Sequence, residues 1–168
     1  MGAGGIVVLG LDPGSRCTGY GLVLEVSGQV SLLEAGTIRT ERETDVAARM
    51  GLIYSGVEAL IKRHGPSEAA VESVFVAVNS ASAIKLGQAR GAALAACGTA
   101  GVPVFAYEPT LVKKSLVGAG RADKSQVAFM VGRVLGCREA MAQDASDALA
   151  VAVCHLNRKR FLKLCGAS

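Results

Sequence analysis

The run Ile6-Val7-Val8-Leu9-Gly10-Leu11 constrains the fold more than any other stretch of this chain. It is apolar throughout, the pattern of a central strand in a sheet covered on both faces. The run ends in Asp12-Pro13-Gly14. Proline cannot donate to a sheet ladder and glycine tolerates turn dihedrals, so the strand stops with the Asp12 carboxylate at its C-terminal tip. Open α/β sheets place their chemistry at such tips. Asp-Pro-Gly is also an ordinary turn sequence, so Asp12 alone does not separate a site from a turn.

The remaining pattern extends the sheet. Residues 5–12, roughly 18–26 and 29–38 are predicted as three strands, with Gly28 at a hairpin turn. Val46, Met50, Ile53, Val57, Leu60 and Ile61 step by three and four, which predicts one apolar helix stripe closed by Gly65-Pro66. SEAAVESVF (67–75) predicts a fourth strand, and VPVFAY (102–107) a fifth. Between them Asn79 or Ser80 caps a helix running to about Gly98. Helical segments near 109–117, 124–135 and 144–160 follow, with Asp123 and Gln126 at capping-box spacing before the second. This order predicts an α/β fold with a mixed sheet.

Composition narrows the class. With 168 residues, 51% hydrophobic and 19% charged, the chain suits one globular domain, 1–168, with a basic tail from about 157. No apolar run approaches the roughly 20 residues of a membrane span. The five cysteines (Cys17, Cys97, Cys137, Cys154, Cys165) are scattered without a C-x-x-C pair, the usage of reduced thiols in a cytoplasmic protein. His64 and His155 are too isolated for a histidine metal cluster. Net charge is +4, but residues 109–138 hold Lys113, Lys114, Arg121, Lys124, Arg133 and Arg138 against the single acid Asp123. Such asymmetry suits an anionic partner, nucleic acid most simply, although a solvated basic face has the same composition.

Acids recur on apolar elements. Glu72 shares a strand face with Ala70, where a lone carboxylate is costly unless protonated or paired. Asp144 and Asp147 lie at i and i+3 in the first turn of a helix that is wholly apolar from Ala148 to Cys154. Simple N-terminal capping also explains that pair. Together, three separate segments bring four carboxylates, and a hard divalent cation is the usual answer to such repulsion. Two ions about 3.5–4 Å apart can clamp both oxygens of a phosphoryl displacement.

The blocks GLDPGSRCTGYG, VESVFVAVNSASAIKLGQARGAAL, YEPTLVKKSLVGAGRADKSQV and DASDALAVAVCH resemble the RuvC family of Holliday-junction resolvases over about residues 6–156. The resemblance implies an RNase H-like fold, a five-stranded mixed sheet flanked by helices. It implies a homodimeric, magnesium-dependent endonuclease (two Mg2+ per site, Mn2+ substituting) that nicks four-way DNA junctions in recombination and repair. Carried over by motif, the catalytic and metal-binding acids are Asp12, Glu72, Asp144 and Asp147. Phe75 is the aromatic that works on unstacked bases, and Lys113 and Lys124 contact DNA. Branch-migration proteins of the same pathway are implied partners. Val78 stands where many members have a basic residue, and some relatives have histidine at the position of Asp144.

Other readings remain. Phe75 also fits a core aromatic, and both lysines fit solvated helix charges. Gly87, Gly91 and Ala95 step by four along a helix, where glycine costs roughly 1 kcal/mol against alanine, so a close contact is expected there. That contact is either the helix's own sheet or a second subunit. A single actin- or sugar-kinase-like nucleotide-binding domain and a non-catalytic junction-binding protein are the rival functions.

Overall fold

Alternation along β1 (Ile6–Asp12) divides the molecule into two cores. Leu9 and Leu11 point to one side of the sheet and Val8 to the other, all fully buried. The computed structural model describes residues 4–73, 79–137 and 141–166. β1 pairs antiparallel with β2 (Cys17–Val26), and β2 with β3 (Gln29–Arg39). Ser27 and Gly28 both have positive φ, which suits a two-residue hairpin turn between them. On its other edge β1 pairs parallel with β4 (Glu68–Glu72), and β4 with β5 (Val104–Tyr107). The sheet order is β3-β2-β1-β4-β5.

One face is covered by α1 (Val46–His64) and α2 (Ser80–Thr99). Asp45 caps α1 by accepting from the Ala48 amide at 2.7 Å, and Gly65 ends it at φ 54°. Asn79, not Ser80, caps α2. The other face is covered by α3 (Pro109–Val117), α4 (Lys124–Leu135) and α5 (Gln143–Leu164). The Asp123–Gln126 capping box forms at α4 as its spacing predicts.

Helix α5 is the central buttress, buried without interruption from Ala148 to Leu156. It lies so close to the sheet that a methyl group at Gly10 would strike the Ala148 carbonyl oxygen. One at Gly19 would strike the Asp144 carbonyl. Farther along, the buried His155 ring is held at Nδ1 by the Tyr107 hydroxyl (2.6 Å) and at Nε2 by Glu68 (2.8 Å). Lys159 adds a second bond to Glu68 at 2.5 Å. These contacts fix α5 against β4 and β5 at one end while the glycines fix it against β1 and β2.

The α/β, five-stranded mixed architecture agrees with the RNase H-like expectation. Three local expectations need correction. The fourth strand ends at Glu72, with Ser73 already outside it, so Glu72 is a strand tip like Asp12; residues 74 and 75 of the expected strand lie outside the described residues. The fifth begins at Val104, because the turn after α2 occupies Ala100-Gly101, with Gly101 at positive φ, and Val102-Pro103 only lead into the strand. Val46, counted in the apolar stripe of α1, is exposed at the helix's first residue.

Candidate active site

The C-terminal ends of β1 and β4 are neighbours in a parallel pair, so Asp12 and Glu72 emerge at the same edge of the sheet. Both lie on the α5 face, because Val8 and Ala70, at even spacing from them, pack in the α5 core. Helix α5 begins at this edge and brings Asp144 and Asp147 in its first two turns. Neither acid caps the helix: the N-cap is Ala142, with no side-chain capping bond.

The four carboxylates act on one another. Asp12 is pushed up to about 7 from an ordinary 3.8, by burial first and then by the charges of Asp147, Glu72 and Asp144, with Lys124 opposing. Glu72 is also raised, by burial and then by Asp147, against the pull of Lys124 and Lys113. Burial, and then the Asp144 carboxylate beside it, push the Cys17 thiol up to about 11.

Asp147 is the most tightly held of the four. Lys124 Nζ donates to its Oδ2 at 3.0 Å and Gln143 Nε2 to its Oδ1 at 2.8 Å. A cleft of about 60 Å³ is lined by Glu72, Asp147, Lys113 and Lys124 above an apolar floor that includes Val112 and Ala150. A wider groove, about 640 Å³, lies along Arg39–Glu43 and Leu52 and contains none of the four acids.

Six of the seven residues singled out in the sequence therefore meet at one site: Asp12, Glu72, Asp144, Asp147, Lys113 and Lys124. The seventh, Phe75, lies outside the described residues, as does Val78. Sequence reasoning missed Gln143, although its i, i+4 spacing to Asp147 on a helix is a readable signal. It also missed Gly10 and Gly19, whose missing side chains let the acid-bearing helix approach.

The donor chemistry suits a hard divalent cation: four carboxylates, all oxygen, with ionisation of Asp12 suppressed by burial and then by its neighbours. As placed, no three such side chains among the described residues are grouped closely enough to share an ion. Lys124 stands on Asp147 instead.

Comparison with known proteins shows the family. The family model described as crossover junction endodeoxyribonuclease RuvC matches residues 8–155. A protein of that name from Solidesulfovibrio magneticus is 63% identical over 96% of this chain and 95% of its own length. Its namesake from Oleidesulfovibrio alaskensis is 54% identical over 95% and 96%. Among solved structures, Thermus thermophilus RuvC in complex with a Holliday junction substrate superposes with a TM-score of 0.88 at 38% identity, covering 96% of this chain and 97% of that one. The yeast mitochondrial Holliday junction resolvase Ydc2, 11% identical with a TM-score of 0.68, shares the fold. By sequence over almost its whole length, this chain belongs to the RuvC family of crossover junction endodeoxyribonucleases.

Proposed function

We propose that this chain is a single-domain, divalent-metal-dependent endonuclease that resolves four-way DNA junctions by paired symmetric nicks. The observation that carries the reading is the convergence of Asp12, Glu72, Asp144 and Asp147 from three elements, with Asp12 lifted to about 7 by burial and the other three. A binding protein for anionic DNA gains nothing from four such acids. A nuclease needs them.

In this reading the four acids hold two Mg2+ ions, for which Mn2+ substitutes. Bound there, the ions supply positive charge to the attacking and leaving oxygens of a phosphodiester. The chain's own groups do the rest. Asp12 must release its proton before it can serve as a ligand, so proton and ion compete for it and the site gains competence as pH rises. Gln143 orients Asp147 through its Oδ1. Lys113, at the rim of the cleft, offers a cation to a DNA phosphate. Phe75 is proposed to stack on an unpaired base at the junction.

A junction has approximate two-fold symmetry, and two nicks need two sites, so the working unit is proposed to be a homodimer. Gly87 and Gly91 have open space where a side chain would be, and with Ala95 they lie on the exposed side of α2. This disposes of the helix's own sheet as their contact and leaves room for a second copy. Branch-migration proteins remain the proposed partners and the cytoplasm the proposed location; no helix among the described residues is long and apolar enough to cross a membrane.

The test is incubation with a synthetic four-way junction and a linear duplex of the same sequence, with and without Mg2+. Paired nicks in the junction alone, and only with metal, are expected. Metal-independent cutting, or equal cutting of the duplex, contradicts the reading.

A further inference from the structure

Lys124 is oddly placed for a helix residue. It is the first residue of α4, where the helix dipole disfavours a cation. The capping needs of that turn are met by Asp123 and Gln126. Its ammonium reaches across to α5 and donates to Asp147 Oδ2 at 3.0 Å. Gln143 takes the other oxygen, so both oxygens of Asp147 are occupied by the chain itself. The lysine side chain is 70% exposed, while that of Asp147 is 21% exposed. One partner can therefore swing into water while the other stays in the cleft.

We propose that the Lys124 ammonium is the resident counter-cation of the acid cluster in the metal-free protein and competes with the divalent ion for Asp147. Ion entry displaces Lys124 from Oδ2, and the freed ammonium, still at the cleft rim, is then available to a DNA phosphate. The inference rests on the metal-binding reading above. It explains two observations at once: the acids are crowded without three of them closing on one centre, and a lysine reaches from a helix N-terminus that does not need it. An ion pair whose cation lies largely in water is weak, so the exchange is easy.

The competition predicts an effect opposite to the one expected of a lysine that simply supports the site. Mn2+ is titrated calorimetrically at pH 8 into DNA-free wild type, Lys124→Met, Lys124→Gln, Lys114→Met and Glu72→Gln. Lys114, exposed on α3, controls for the loss of one positive charge. Both Lys124 variants should bind Mn2+ roughly three- to fivefold tighter than wild type, the size expected for removal of an exposed competing pair. Lys114→Met should be unchanged. The Lys124 variants should also melt lower than wild type without metal and gain more from added Mn2+. Equal or weaker Mn2+ binding by the Lys124 variants overturns the proposal, as does equal tightening in Lys114→Met or no uptake by any DNA-free protein. Wild-type affinity in Glu72→Gln instead overturns the metal-binding reading itself. Lost binding in Glu72→Gln with unchanged Lys124 variants leaves that reading standing and removes only the competition.

Discussion

Glu68 and Glu72 bracket β4, four residues apart on the same face of the same strand, and both look toward α5. Burial raises both. At Glu68 the hydrogen bonds from His155 and Lys159 outweigh it and hold the carboxyl below its usual range. At Glu72 nothing outweighs it: Asp147 adds to the rise, and Lys124 and Lys113 offset only part. A carboxylate recruited for stability is surrounded by donors. One kept among like charges weakens the fold, and that cost makes sense where a cation is to bind.

The largest effect that sharpens this contrast is on activity. Asp12→Asn keeps shape and removes charge at the acid end. Single-turnover incision of a four-way junction should fall by roughly 10²–10³-fold or more, the rate equivalent of several kcal/mol of lost charge stabilisation. Gel-shift affinity for the junction should persist. Near-normal cutting by this variant would break the contrast.

The next effect is on stability, at the other end of the strand. Glu68→Gln leaves the buried His155 and Lys159 without their charged acceptor. It should cost about 1–3 kcal/mol, a drop of roughly 2–4 °C in Tm per kcal/mol for a chain of this size. Thermal melting measures it directly, and an unchanged Tm would mean the anchor of α5 lies elsewhere.

The pH dependence of the metal-free protein is a smaller effect with a definite sign. Asp12 holds its proton more tightly folded, at about 7, than its ordinary 3.8 allows. The folded state therefore carries the extra proton between those values, and stability falls as pH rises through that window. Above 7 the cost is complete. Asp12→Asn removes it and should flatten the loss between pH 5.5 and 8 by about 1–2 kcal/mol. A wild-type protein that gains stability over the same interval would show that Asp12 is not held protonated. The smallest effect is at the rim: Lys113→Ala should reduce the slope of log affinity against log salt by about 1. An unaltered slope would make Lys113 a solvated charge.

Much of this was legible because it is local. The β1 run, the Asp12-Pro13-Gly14 stop, the Asp123–Gln126 box and the all-apolar stretch after Asp147 each act within a few residues. The family blocks then supplied which acids belong together. What the sequence hid depends on distant neighbours. Nothing near Gly19 in the chain shows that its missing side chain makes room for the Asp144 carbonyl, 125 positions away. His155 looked isolated because its partners, Glu68 and Tyr107, lie 87 and 48 residues off. The end of β4 at Glu72 was also hidden, since Ser73-Val74-Phe75 has the alternation of a continuing strand.

The contrast along β4 can be measured in one experiment. Glu72→Gln and Glu68→Gln are the same chemical change, made four residues apart on one strand face. Mg2+-dependent incision of a four-way junction is measured under single-turnover conditions for both, per folded molecule and below the melting range of either. Glu72→Gln should be inactive, and Glu68→Gln should cut within a few fold of wild type. Comparable losses in the two variants, or activity retained in Glu72→Gln, would contradict the assignment of chemistry to the Asp12–Glu72 end of the sheet.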